Sequence, residues 1–141
     1  MGRPQLTGTT STTSTINTME QFRFRKWQVY QDSQKLFSDI LGIVATLPSQ
    51  YRYSLGDQMT RAALSIVLNI AEGSGKNSIK ELNRFLDIAI GSAYETLACV
   101  DTLAQNKFIT KEKLGSLERQ VVSICSQIGG FKKKLRNPYT K

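Results

Sequence analysis

The chain has no histidine among its 141 residues, and only two cysteines, three prolines and one tryptophan. Each scarcity excludes something. Without histidine the commonest general base and the commonest zinc ligand are missing. A Glu-x-x-His di-iron site of the bundle type is missing for the same reason. Cys99 and Cys125 stand alone inside apolar helical patterns, with no Cys-x-x-Cys spacing. They read as buried free thiols of a reducing compartment, not as a disulfide or a metal site. Prolines only at positions 4, 48 and 138 leave long stretches free to be helical. No apolar run reaches the roughly 18 residues needed to cross a bilayer. The greasiest stretches, Ile40–Leu47 and Ala63–Ala71, are too short or are interrupted by polar groups. The N-terminus lacks the apolar core of a secretory signal. Leu6 stands where a myristoylation motif wants Ser or Thr. The expectation is a cytoplasmic protein with no membrane partner, cofactor or metal.

What is abundant is positive charge. Nineteen Lys and Arg face eleven Asp and Glu, a formal net charge of +8. That balance suits a polyanion partner, or simply solubility. The excess is uneven. Residues 111–141 hold eight Lys and Arg against two acids.

The hydrophobic spacing predicts four helices and no strand. Residues 1–21 read as a disordered tail, because the Ser/Thr run from Gly8 to Thr15 has nothing to bury. A first helix is expected over Phe24–Leu47, with Trp27, Tyr30, Leu36, Phe37, Ile40 and Val44 inward and a six-residue gap after Tyr30. Pro48 closes it. A second runs over Leu55–Glu72, capped by Ser54, with Gly73 as the residue just past its end. Ser78 and Glu81 have capping-box spacing and open a third, which ends near Asn106. Thr110 caps a fourth that ends near Leu135, and residues 137–141 form a short tail. Helices of similar length with short connections make antiparallel neighbours. The fold class is therefore all-α, an antiparallel up-down four-helix bundle over residues 22–136.

The stretch from Asn69 to Glu95 reads NIAEGSGKNSIKELNRFLDIAIGSAYE. It resembles the signature of the 23S rRNA intervening-sequence protein family, whose pattern is Asn-Ile-Ala-Glu-Gly, Gly-Arg, a Ser, Glu-Phe, Arg-Phe-Leu, then Gly-Ser and Glu. Upstream, Trp27, Pro48, Tyr53, Gln58, Arg61 and Ser65 also fit. The resemblance covers about residues 22–135. Lys76 stands for the usual arginine, Thr60 for a basic residue before Arg61, and Leu82 for phenylalanine. The lysine keeps a charge but loses the planar guanidinium fork. The resemblance implies a homo-oligomer, a pentamer with a central opening. It also implies a looser kinship with the nucleic-acid-binding accessory proteins of diversity-generating retroelements. It implies a fold, not a reaction.

Two residue sets stand out. Arg23, Arg25 and Lys26 precede the first helix, and Lys132, Lys133, Lys134 and Arg136 end the fourth. An up-down bundle puts both groups at one end, where they form a candidate site for RNA or DNA. Phe22, Phe24 and Tyr139 are candidates to stack on bases. The second set is Asn69, Glu72, Ser78, Glu81, Arg84, Ser92 and Glu95. Its expected role is structural. Ser78 and Glu81 cap a helix, Asn69 and Ser92 bridge the middle helices, and Arg84 pairs with Glu72 or Glu81. A hydrolytic role for Glu72 and Glu81 lacks a pocket. The Gly73-Ser74-Gly75-Lys76 turn lacks the spacing of a phosphate-binding loop and follows a helix rather than a strand. No nucleophile–base pair can be assembled, so no catalytic residue is expected. The reading is a non-enzymatic oligomer that binds nucleic acid, with a protein-docking scaffold as the alternative.

Overall fold

The computed structural model describes residues 21–136. All but Gln21 of the expected tail over residues 1–21, and the expected tail over 137–141 with its Tyr139, lie outside the described residues. Four long helices account for most of the rest. They are α1 (Gln28–Thr46), α2 (Leu55–Ser74), α3 (Ile79–Gln105) and α4 (Lys111–Arg136). Among the described residues there is no strand. The helices run up, down, up and down, each packed on its two neighbours in a closed ring, with the α2–α3 interface the most extensive.

The first helix begins later than the periodicity suggested. Arg23–Lys26 form a separate 3-10 turn, and Trp27 is extended at φ −73° and ψ 129° before α1 starts. The apolar gap after Tyr30 is filled by Ser33. Its hydroxyl donates to the Val29 carbonyl at 2.7 Å, so a polar residue lies fully buried on the inner face. Leu47 is extended ahead of Pro48, which ends α1 as expected.

A one-turn helix, Ser49–Arg52, then intervenes. It was not foreseen, and it removes the expected role of Ser54. That side chain makes no capping bond and reaches only the Tyr51 carbonyl, at 3.5 Å. Gly73 also departs from expectation. It does not lie past the end of α2 but is buried within it. An added Cβ would come within 2.9 Å of the Phe85 Cβ. The residue is glycine because α2 and α3 approach too closely there for any side chain. Gly75 terminates the helix with φ −91°, and no described glycine has positive φ.

Helix α3 opens as read. The Ser78 hydroxyl accepts from the Glu81 amide at 3.1 Å. The reciprocal arm of the box is not formed, because Arg84 takes the Glu81 carboxylate at 3.2 Å. At the far end the Phe108 amide reaches the Leu103 carbonyl and the Lys107 amide reaches the Ala104 carbonyl. This pair of bonds is a Schellman motif. Its left-handed position is held by Lys107 at φ 65°, the one non-glycine residue with positive φ among those described. Glycine adopts that geometry without steric cost, so Lys107→Gly is expected to raise stability by about 1 kcal/mol in urea unfolding. Thr110 caps α4 by accepting from the Lys113 amide at 3.0 Å.

Leu36, Ile40, Met59, Ile66, Ile70, Leu86, Val100, Leu103, Leu117, Ile124 and Ile128 fill the centre. Each contributes about 1.5–3 kcal/mol by leaving water, the main source of stability. Polar side chains then set the α1–α4 register. Gln120 donates to Asp39 and Gln127 to Asp32, each at 2.8 Å. Burial pushes the Asp39 carboxyl up, but hydrogen bonds from Gln120 and Lys35, with the charges of Lys35 and Lys113, outweigh it. The net result lies below the ordinary value of 3.8. A lowered folded pKa adds stability above the unfolded value, and that stability is lost as pH falls through the folded one. Urea midpoints at about pH 6 and about pH 3 should therefore differ more for the native chain than for Asp39→Asn.

Candidate nucleic-acid interface

The start of α1 and the end of α4 meet through aromatic packing. Trp27, just before α1, stands edge-on to Phe131 in the last turns of α4, with ring centroids 5.1 Å apart. The next residue along, Lys132, reaches across to Asp87 and, at 3.4 Å, to Asn83, both on α3. The 3-10 turn also packs against α2. One pole thus gathers the start of α1, the α2–α3 connection and the end of α4.

All seven cations singled out from the sequence lie at this pole, but they are not equivalent. Arg23, Arg25, Lys26, Lys133, Lys134 and Arg136 are exposed. Lys132 is partly buried and its ammonium is committed to Asp87. It ties α4 to α3 and is a poor phosphate ligand. Sequence reasoning missed three other cations at the same end. Lys76, Lys80 and Arg84 are exposed on the α2–α3 connection and the first turns of α3. The signal that would have found them was the antiparallel order itself. A hairpin between the second and third helices must turn at the pole where the chain enters and leaves.

The charge partition is lopsided. Up to the level of the Lys132–Asp87 pair, the pole holds ten of the seventeen described Lys and Arg, and three of the ten described Asp and Glu, namely Glu72, Glu81 and Asp87. The remaining described residues carry seven of each sign. The excess of positive charge in the bundle therefore sits at one end. Glu81 registers it. The Arg84 hydrogen bond, with the nearby charges of Arg84, Lys76 and Lys80, holds its carboxyl below the usual glutamate value.

Aromatic rings organise these cations. The Arg25 guanidinium lies over Phe22 at 5.7 Å, and that of Arg23 over Trp27 at 5.8 Å. Phe85 carries Arg84 at 4.5 Å and Lys76 at 5.1 Å. Such stacking costs little desolvation, although Arg84 also donates to the Glu81 carboxylate. Phe24 packs on Tyr30 at 4.9 Å and is partly buried, whereas Phe22 is exposed.

The polar set from the sequence resolves into separate groups along the α2–α3 seam. Asn69 donates to the Ser65 carbonyl at 2.8 Å and hydroxyl at 3.0 Å, and Ser92 donates to the Ser65 hydroxyl at 2.7 Å. The bridge expected of Asn69 and Ser92 thus runs through Ser65, which had not been assigned a part. Glu95 accepts from Gln58. Arg84 pairs with Glu81 and not with Glu72, which lies 3.9 Å from Lys76. Ser78 only caps. Beyond these pairings the set converges on no cavity.

Among the described residues no group of three His, Cys, Asp or Glu is placed to hold a metal ion. Both cysteines are free, and each is half-buried rather than buried as expected. Burial pushes both thiols up, with the Glu95 charge adding to it at Cys99, so neither is an activated nucleophile. No helix among the described residues is long and apolar enough to cross a membrane.

A family model described as 23S rRNA-intervening sequence protein matches residues 25–130. No curated protein matches the chain. A solved structure, a protein of unknown function from the S23 ribosomal protein family of Bacteroides thetaiotaomicron VPI-5482, is similar at a TM-score of 0.70 with 24% identity. The similarity covers 74% of this chain and 98% of that one. It supports the fold alone.

Proposed function

The chain belongs to the 23S rRNA-intervening sequence protein family, and we propose that it is a non-enzymatic, cytoplasmic homo-oligomer, a pentamer, that binds RNA or other nucleic acid through its cationic pole. The observation that carries this reading is the charge partition. Ten cations against three acids at one end, beside a remainder of zero net charge, form a one-sided field that solubility alone does not call for. Recognition would run through phosphates, with little base readout, because these are exposed or ring-stacked cations at the end of the bundle. Assembly would bring several poles together and multiply the phosphate contacts.

The solitary Trp27 lies within the pole and offers a direct test. Generic RNA titrated at two salt concentrations should change its emission, with affinity falling steeply as salt rises. Light scattering on the same samples reports the assembly number. An unchanged emission and no binding at low salt would defeat the polyanion reading. A second reading, a scaffold that docks another protein, draws on Leu64, Leu68 and Ile88, which are exposed on α2 and α3 beside the Ser65–Ser92 bridge. It predicts a partner retained after nuclease treatment.

A further inference from the structure

We infer that the ligand of the cationic pole is a single-stranded polynucleotide, one of whose unpaired bases stacks on Phe22. The inference rests on the polyanion reading and narrows it to a ligand class.

Three observations point the same way. The first is Phe22 itself. It is 41% exposed at the outer margin of the pole, where an apolar ring costs free energy unless something covers it. It is held by its neighbours. Phe24 meets it edge-on with centroids 6.4 Å apart, and the Arg25 guanidinium lies over the ring at 5.7 Å. An aromatic ring fixed among cations is how single strands are bound without sequence preference. Bases stack on the ring while the neighbouring charges follow the backbone.

The second is the shape of the charged surface. The cations cap the end of the bundle and do not run along a helix. Between Arg119 and Lys132 the exposed residues of α4 are Val122, Ser123, Ser126, Gly129 and Gly130, with no cation among them. A helix laid in the major groove of a duplex would need cations along that face to meet the flanking phosphates. A cap about 20 Å across, the width of two packed helices, instead suits a flexible strand folded over it.

The third is chemical. A paired base hides its faces in the stack, so Phe22 gains nothing from an intact duplex. Single-stranded loops and ends present those faces.

The test uses the full chain and two probes of equal length, an oligouridylate strand and a fully paired RNA duplex, at about 0.1 M salt. The native protein should bind the strand more tightly. Phe22→Ala should weaken strand binding roughly tenfold and leave duplex binding unchanged, whereas Phe22→Trp should restore it. Because the ring is exposed, helicity should be unaltered in both variants. Equal affinity for strand and duplex, or an unchanged Phe22→Ala protein, overturns the inference and leaves the phosphate-binding reading standing. Failure to bind either probe, even at low salt, overturns both.

Discussion

Charge reversal at Lys133, Lys134 and Arg136 should lower affinity for a single-stranded polyanion by roughly 100-fold at about 0.1 M salt. The magnitude follows from counterion release. Each phosphate neutralised on a single strand adds about 0.7 to the slope of log affinity against log salt. Losing three contacts lowers the slope by about 2, and at about 0.1 M that slope is itself about two decades of affinity. Glutamate adds repulsion, so the loss should be no smaller. The choice of residues matters. Lys132 lies in the same basic run, but its ammonium is fixed on Asp87. Lys132→Glu would set two carboxylates against each other between α3 and α4, and weaker binding would then report damage to the bundle. The three residues beyond it are exposed. Their reversal opposes the α4 dipole at its last turn, so the melting temperature should fall by only a few degrees while the bundle stays folded. The measurement is the salt slope for native and triple-variant protein beside a thermal melt. Matching slopes would exclude these side chains from the interface.

The bundle was legible because its information is periodic. Four apolar stripes, Pro48, the Ser78 cap and the Thr110 cap are local signals, and local signals fixed each helix to within a few residues. The misreadings lie where a residue's role depends on a distant one. Gly73 reads as a helix terminator until Phe85 is seen to press on it from α3. Ser54 reads as a cap until the turn at Ser49–Arg52 is in place. Ser65 is silent in the sequence, and only the antiparallel register brings Ser92 to 2.7 Å from it. The cationic pole was half visible for the same reason. The basic runs before α1 and at the end of α4 announce themselves as clusters. Lys76, Lys80 and Arg84 are spaced too widely to do so, and the fold collects them. Lys132 shows the opposite error, since membership of a basic run does not show which cation the neighbouring helix has claimed.

Gly73→Val should destabilise the bundle by about 3 kcal/mol, the upper range for overpacking. On unfolding data for domains near this size that is a melting temperature lower by roughly 10 °C. The argument turns on which atom is in the way. A Cβ at position 73 meets the Phe85 Cβ at 2.9 Å and the Leu82 Cδ1 at 3.2 Å. The first of these is bonded to the backbone and cannot rotate aside, so α2 and α3 must separate along their most extensive interface. Gly56 is the control. Its Cβ would crowd the Val44 Cγ1, at 2.8 Å, a methyl group that a χ1 change can move, with the Val44 Cβ and Cγ2 at an ordinary 3.8 Å. Gly56→Ala also gains about 1 kcal/mol of helix propensity, so its net effect should be small. The consequence at position 73 reaches the pole. Phe85 supports both Arg84 and Lys76, so displacing it moves two cations together. Strand affinity should therefore fall in Gly73→Val, even at temperatures where the protein remains folded, and should hold in Gly56→Ala. Equal melting temperatures for Gly73→Val and the native chain would mean that the close approach of α2 and α3 is not what makes residue 73 a glycine.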